Sequence, residues 1–105
     1  MNLNNIKEKL RKFSKDREWD KFHTPKNLSM ALSVEASELV EIFQWLTEKQ
    51  SKSLSDKQIQ ATKEELADIL IYLIRMADKL NIDLEEAVKE KIKLNAKKYP
   101  IGKND

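Results

Sequence analysis

No cysteine, one histidine, one glycine and two prolines stand among the 105 residues, and each scarcity removes a class of explanation. Without cysteine the chain forms no disulfide and offers zinc no thiolate, which fits a reducing cytoplasm. With so little glycine and proline it is poor in turn-making residues, so long helices are expected and strands are not. The longest apolar run, Ile69 to Ile74, is far too short to span a bilayer, and the first residues lack the apolar stretch of a signal peptide. No membrane association is expected. At 105 residues, 36% of them charged and 40% hydrophobic, the chain has the make-up of one globular domain with a single core.

What is present is helix-forming sequence in four stretches. The first runs from about Leu3 to Arg17, with Ile6, Leu10 and Phe13 on one face. An irregular aromatic segment, Trp19 to His23, leads to Thr24-Pro25, a cap followed by a proline in the first turn of a second helix that reaches about Leu46. Thr47 to Leu54 is polar and serine-rich and is expected to be a loop. Ser55-x-x-Gln58 has the form of a capping box and opens a third helix, to about Leu80. Asp83 caps a fourth, whose face carries Leu84, Ala87 or Val88, Ile92 and Asn95 until Tyr99-Pro100 stops it. The tail after Gly102 is expected to fray. The expected fold class is therefore all-α, a four-helix bundle.

Against that pattern four carboxylates are out of place. The stripe Leu28, Leu32, Glu35, Leu39, Ile42, Leu46 steps by three and four as one helix face does, and Glu38 flanks it in the row Ala31, Glu35, Glu38, Ile42, Trp45. On the third helix Ala61, Glu65, Asp68, Ile69, Tyr72 and Met76 form a comparable row. Desolvating an unpaired ion costs several kcal/mol, so four of them would offset most of the stability of a small domain. Neither stripe holds a lysine or arginine, and the only histidine, His23, lies outside both helices. A divalent cation is the simplest neutraliser. An all-carboxylate set suits a hard ion such as Mg²⁺ or Mn²⁺, whereas di-iron bundles use Glu-x-x-His and structural zinc uses Cys or His. The competing reading is a loose bundle whose acids reach water at its edge. Antiparallel packing of the second and third helices, roughly 8–10 Å apart, brings the two pairs together between them.

The net charge of +2 conceals an uneven distribution. Residues 1–26 carry eight basic and four acidic side chains, residues 27–88 six and twelve, and residues 89–105 six and two. An acidic middle repels phosphates along any long track, so extended nucleic acid is not an expected partner. Basic ends suit a short polyanion whose metal is held by the middle.

The blocks Arg17-Glu18-Trp19-Asp20-Lys21-Phe22-His23-Thr24-Pro25-Lys26-Asn27-Leu28, Glu35-Ala36-Ser37-Glu38 through Phe43-Gln44-Trp45, Glu64-Glu65-Leu66-Ala67-Asp68-Ile69-Leu70-Ile71-Tyr72 and Asn95 to Pro100 together resemble the MazG-like all-α nucleoside triphosphate pyrophosphohydrolases, in their dCTP pyrophosphatase-like branch. The resemblance covers nearly the whole chain. It implies a single domain over residues 1–105, with a metal site between the second and third helices. It further implies hydrolysis of a nucleoside triphosphate to the monophosphate and pyrophosphate, with Mg²⁺ required or Mn²⁺ in its place. The implied substrate is a pyrimidine or modified deoxynucleotide such as dCTP.

By the same resemblance Glu35, Glu38, Glu65 and Asp68 are metal ligands. Trp19, Asp20, Lys21, Phe22, His23, Trp45 and Tyr72 are base and sugar contacts, and Asn95 and Lys98 are phosphate or sugar contacts. Aromatic faces stack on bases of any sequence, although Trp45 and Tyr72 are also spaced like core residues. Glu38, at the edge of its stripe, is freest to reach a water and is the expected base or water-positioning group. Relatives of this kind imply a cytoplasmic homotetramer built from dimers, or a homodimer. Two departures stand out, the first of which leaves the preferred base open and the second of which bears on how the ligand sits. Leu10 stands where vertebrate dCTP enzymes carry a substrate-contacting histidine, and Ser33 and Ser37 stand where that branch often has glycine. The alternative is a noncatalytic nucleotide- or metal-binding module, or a helical interaction module.

Overall fold

A computed structural model describes residues 1–102, and helices begin where the capping signals stand. Helix α1 spans Leu3–Asp16, a 3₁₀ turn Asp20–Phe22, α2 Pro25–Phe43, α3 Glu48–Ser51, α4 Asp56–Lys79 and α5 Leu84–Lys98, with no strand among the described residues. The fold is all-α, as expected. The fraying expected after Gly102 falls on positions 103–105, outside the described residues.

Each long helix starts with a side chain that accepts an otherwise unpaired amide. Asn2 Oδ1 accepts from Asn5 N–H (3.1 Å), Thr24 Oγ1 from Asn27 (3.2 Å), Ser55 Oγ from Gln58 (3.2 Å) and Asp83 Oδ1 from Glu86 (3.0 Å). Gln58 Oε1 in turn accepts from Ser55 N–H (2.9 Å), completing the box expected there. Two boundaries differ from the sequence reading. Thr47 and Gln50 form a second reciprocal box (3.1 and 2.9 Å), which winds one helical turn inside the segment read as loop. That cap needs Thr47 in extended backbone (φ −74°, ψ 164°), so the chain leaves α2 at Phe43 rather than Leu46 and carries Trp45 out of the helix.

The C-termini of α1 and α4 are both left-handed caps. Trp19 N–H donates to the Ser14 carbonyl (2.9 Å) and Glu18 N–H to that of Lys15 (3.0 Å), while Ile82 and Asn81 repeat the pattern on Ala77 (2.8 Å) and Asp78 (3.2 Å). Glu18 and Asn81 accordingly have φ of 57° and 55°. The cap after α1 is what turns the chain back and sets the aromatic segment against α4.

Helices α2 and α4 run antiparallel, as two sets of contacts show. His23 and Asp20, just before α2, meet Arg75 late in α4, whereas Glu35 in mid-α2 meets Glu65 earlier in α4. Helix α1 lies against the late part of α4, tied by Arg11 to Asp78 (Nε to Oδ2, 2.7 Å) and brought close by the small, buried Ser14. The core is thin: Leu28, 1% exposed, with Ile74 and Ala77. Helix α5 packs appreciably on no other helix, and every residue from Val88 to Pro100 is exposed. A compact monomer of this mass exposes about 6,100 Å². This chain exposes 8769 Å². Its radius of gyration, 17.0 Å, also exceeds the roughly 13 Å of a closed domain of this length. Among the described residues no helix is long and apolar enough to cross a membrane.

Because Leu28 fills the centre of so small a core, Leu28→Ala is expected to lower the unfolding free energy by about 2–5 kcal/mol. Denaturant titration measures it, and a change below about 0.5 kcal/mol, the range of surface substitutions, would contradict this placement of the core.

Candidate functional site

The stripe expected on α2 is the one that turns inward. Leu28 is buried and Leu32, Glu35, Leu39, Ile42 and Leu46 are half-buried, while Ser33, Val34, Ala36, Ser37 and Val40 between them face out. On α4, Ala61, Glu65, Asp68, Ile69, Tyr72 and Met76 are likewise half-buried. Where these stripes meet, Glu35, Glu38 and Glu65 each present one carboxylate oxygen, all within 4.8 Å of one another. Asp68 lies one turn beyond Glu65 and outside this tight set, although it is close enough for its charge to act on Glu65 and on Tyr72.

Like charges so close oppose one another's ionisation. The Glu35 carboxyl is pushed up to about 7, first because it shares a proton with Glu65, then by burial, and then by Glu38. On Glu65 the bond from Glu35 acts downward, but burial and the charges of Glu38 and Asp68 leave it raised. Tyr72 is also raised, by burial and by Glu35, Asp68 and Glu38, so its phenol stays protonated beside the acids.

A cation fits these residues by two observations. The Oε2 atoms of Glu35 and Glu65 are buried with no hydrogen-bond partner, a costly state for a carboxylate oxygen that coordination relieves. In addition, an octahedral shell with bonds of 2.0–2.1 Å separates ligand oxygens by at most about 4.2 Å, so a set within 4.8 Å closes by small side-chain rotations. The acidic group is thus suited to a hard divalent ion, and its all-oxygen donor set disfavours zinc and other soft metals.

The remaining site residues divide into four groups. Tyr72 lies with the acids. Trp19, Asp20, Lys21, Phe22 and His23 form one unit around the 3₁₀ turn, in which the Trp19 ring meets Phe13 edge-on (centroids 5.6 Å) and lies 6.4 Å from His23. Phe22 is exposed, with the Lys21 ammonium 5.2 Å from its ring. Trp45, freed by the early end of α2, is 87% exposed, which removes the core-packing alternative for it. Asn95 and Lys98 lie on the projecting α5, which does not bring them to the carboxylates within one chain; Lys98 instead sits 5.4 Å from the Tyr99 ring.

Sequence reasoning passed over one set of residues. Arg75, 3% exposed, donates from Nη2 to Asp20 Oδ1 (2.9 Å) and from Nε to His23 Nδ1 (3.4 Å), and its Nη1 lies 3.5 Å from Asp78. Lys79 also donates to Asp20 (2.7 Å). Bonds from Lys79 and then Arg75 hold the Asp20 carboxyl below its ordinary range, and the bond from Arg11 does so for Asp78. Burial, followed by the Arg75 charge, pushes His23 down, so its ring is neutral near pH 7. The available signal was a basic residue directly after the apolar run of α4, on the same stepping row as Asp68 and Tyr72.

The raised carboxyls fix a sign for metal-free stability. They favour folding while protonated, a contribution present below the ordinary carboxylate range and lost as pH rises, for Glu35 through about 7. The depressed Asp20 and Asp78 act only at lower pH, as their carboxylates become protonated. Without divalent metal the melting temperature is therefore expected to fall from about pH 5 to about pH 8, and millimolar Mg²⁺ should restore it at the upper end and hardly at the lower. Glu35→Gln should flatten the metal-free profile and abolish the Mg²⁺ response. Thermal melts with and without chelator check this, and an equal Mg²⁺ response at both pH values would contradict it.

Comparison with known proteins gives a consistent picture. The MazG-like family model matches residues 30–105, from early α2 onward. Two curated relatives are named dCTP pyrophosphatase 1: the mouse protein is 40% identical over 101 residues and the human protein 39% over 100. The matches cover 94% and 93% of this chain, which spans only 59% of the length of either relative. A solved structure of a pyrophosphatase from Archaeoglobus fulgidus superimposes with a TM-score of 0.88 at 41% identity, covering 92% of this chain and 91% of the other. With its fold, its acidic helix seam and these matches in agreement, the chain belongs to the MazG-like family.

Proposed function

We propose that this chain is a nucleoside triphosphate pyrophosphohydrolase, one domain over residues 1–105, that releases pyrophosphate and a monophosphate from a pyrimidine or modified deoxynucleotide such as dCTP. The observation that carries the reading is the meeting of Glu35, Glu38 and Glu65 between two helices with buried, unpartnered oxygens on two of them. The names of the relatives, dCTP pyrophosphatase 1 and a pyrophosphatase, support the reaction class. In this reading Glu35, Glu38, Glu65 and Asp68 hold Mg²⁺, or Mn²⁺ in its place. Such an ion supplies positive charge against the triphosphate and lowers the proton affinity of a bound water.

The protein's own groups then have distinct parts. Glu35 and Glu65, each with a buried oxygen turned into the seam, are committed to the ion. Glu38 has no such oxygen and takes the water-orienting and proton-accepting part. Tyr72, kept protonated by its acidic surroundings, offers an O–H donor to the substrate beside the metal. Trp19, Phe22 and Trp45 supply exposed aromatic faces for the base, with Asp20, Lys21 and His23 around them. Asn95 and Lys98 act on phosphate or sugar at a site completed by another subunit.

The exposed surface supports that last assignment. The excess of exposed area over a compact monomer is of the size an obligate oligomer buries, and α5 offers Val88, Ile92 and Leu94 to solvent. We infer a homotetramer built from dimers, or a homodimer, in the cytoplasm, the compartment where a cysteine-free chain has least need of disulfides.

The test of function incubates the protein with Mg²⁺ and a panel of canonical and modified nucleoside triphosphates, and resolves the products. Monophosphate with pyrophosphate is expected, and Glu38→Gln should lower kcat by about 10²–10⁴-fold with little change in KM. Diphosphate with phosphate would contradict the bond assigned, and binding without turnover would mark a nucleotide sensor. Sedimentation equilibrium should give two or four times 12.3 kDa. A 12.3 kDa species at micromolar concentration would contradict the oligomer.

A further inference from the structure

Among the described residues Arg75, 3% exposed, is the most deeply buried charged residue, and nothing in the proposed chemistry uses it. Burying a guanidinium is unfavourable unless its donors are all engaged. Here its three nitrogens face groups from two places: Asp20 and His23 on the segment before α2, and Asp78 on α4 itself, which Arg11 of α1 holds from its other side. Lys79 adds a second bond to Asp20, whose side chain is otherwise 57% exposed. Two cations thus clamp one carboxylate of the aromatic segment onto α4.

The position of the clamp matters. Asp68, Tyr72, Arg75 and Lys79 step by four, three and four along one face of α4, so Arg75 stands seven residues from Asp68, about 10 Å at 1.5 Å per residue. One end of this row holds the acids and the other holds the segment Trp19 to His23, a separation on the scale of a nucleoside and its first phosphate. The Nε–H of Arg75 also points at His23 Nδ1, which must then present a lone pair and leave the ring proton on Nε2.

We propose that Arg75 is a positioning residue: by clamping Asp20 and His23 it fixes the aromatic segment at a set distance from the carboxylates, and holds His23 as an Nε2–H donor for an acceptor on the nucleoside, without touching substrate itself. This rests on the nucleotide reading above, and it assigns Asp20 its part through the clamp. Misplacing a binding segment weakens binding of ground state and transition state alike, which appears in KM and not in kcat.

Two variants test it, Arg75→Met and Asp20→Asn. The second removes a partner at the exposed end and keeps Arg75 paired with Asp78, so it stays informative if the first unfolds. In the free protein, amide exchange is expected to quicken across residues 17–24 and to stay slow in α2 and α4. Because His23 is the only histidine, its ring nitrogens give an unambiguous NMR signal. Wild type should show the Nε2–H tautomer, and Arg75→Met a mixture that titrates at higher pH. In turnover, KM should rise about tenfold with kcat within about threefold, and the double variant should be no worse than Arg75→Met alone. An Nδ1–H tautomer in wild type, unchanged exchange in both variants, or a fall in kcat at constant KM would each overturn the proposal. A wild-type chain that turns over no nucleotide overturns the pyrophosphohydrolase reading instead, while the exchange and tautomer results still decide the clamp.

Discussion

Glu35, Glu38 and Glu65 meet in the seam of α2 and α4, where two packed helices would ordinarily interlock aliphatic side chains, and the rest of the molecule is arranged around their mutual repulsion. Protons relieve it at low pH, because the Glu35 carboxyl stays protonated up to about 7. At neutral pH a divalent ion would relieve it more completely and, on the proposed function, would do so where a polyphosphate needs the same charge. The seam is therefore weak as a core, and the fold shows the consequence. Only Leu28, Ile74 and Ala77 are buried hydrophobic residues among those described, and much apolar surface is left outside.

Helix α4 is the spine of this arrangement. It carries Glu65 and Asp68, then Tyr72, then Arg75 and Lys79, in order along its inward side. The carboxylates proposed to hold the metal, the Tyr72 phenol and the anchor of the aromatic segment are thus spaced by helix geometry alone. That continuity makes a short chain sufficient for a site with two distinct ends. The loop before α2 needs no large core of its own, since the left-handed cap at Glu18 turns it and the Asp20–Arg75 pair fastens it.

Much of this was legible beforehand because capping and periodicity are local. Thr24, Ser55 and Asp83 each cap the helix expected of them, and the inward stripe on α2 is the one that its spacing marked. The acids stood out because they interrupted that stripe. What was missed depends on competition between neighbours or on distant parts of the chain. Thr47-x-x-Gln50 is a capping box of the same kind as Ser55-x-x-Gln58, but it lies in a segment whose polar composition suggested a loop, and its formation also cut α2 short. Arg75 reads as the end of an apolar run until Asp20 and His23, more than fifty residues away, are known to face it. The isolation of α5 has no local signature, since an amphipathic face looks the same whether its partner is in the same chain or another.

The claim beneath all of this is that the α2–α4 seam is a divalent-cation site. The most direct measurement is anomalous scattering from crystals grown with Mn²⁺. The result expected is a peak in the seam within about 2.3 Å of oxygens from Glu35, Glu38 and Glu65, with Asp68 drawn in directly or through water. Carboxylates that keep their present spacing with no peak between them, at Mn²⁺ concentrations that saturate the protein's thermal response, would contradict it.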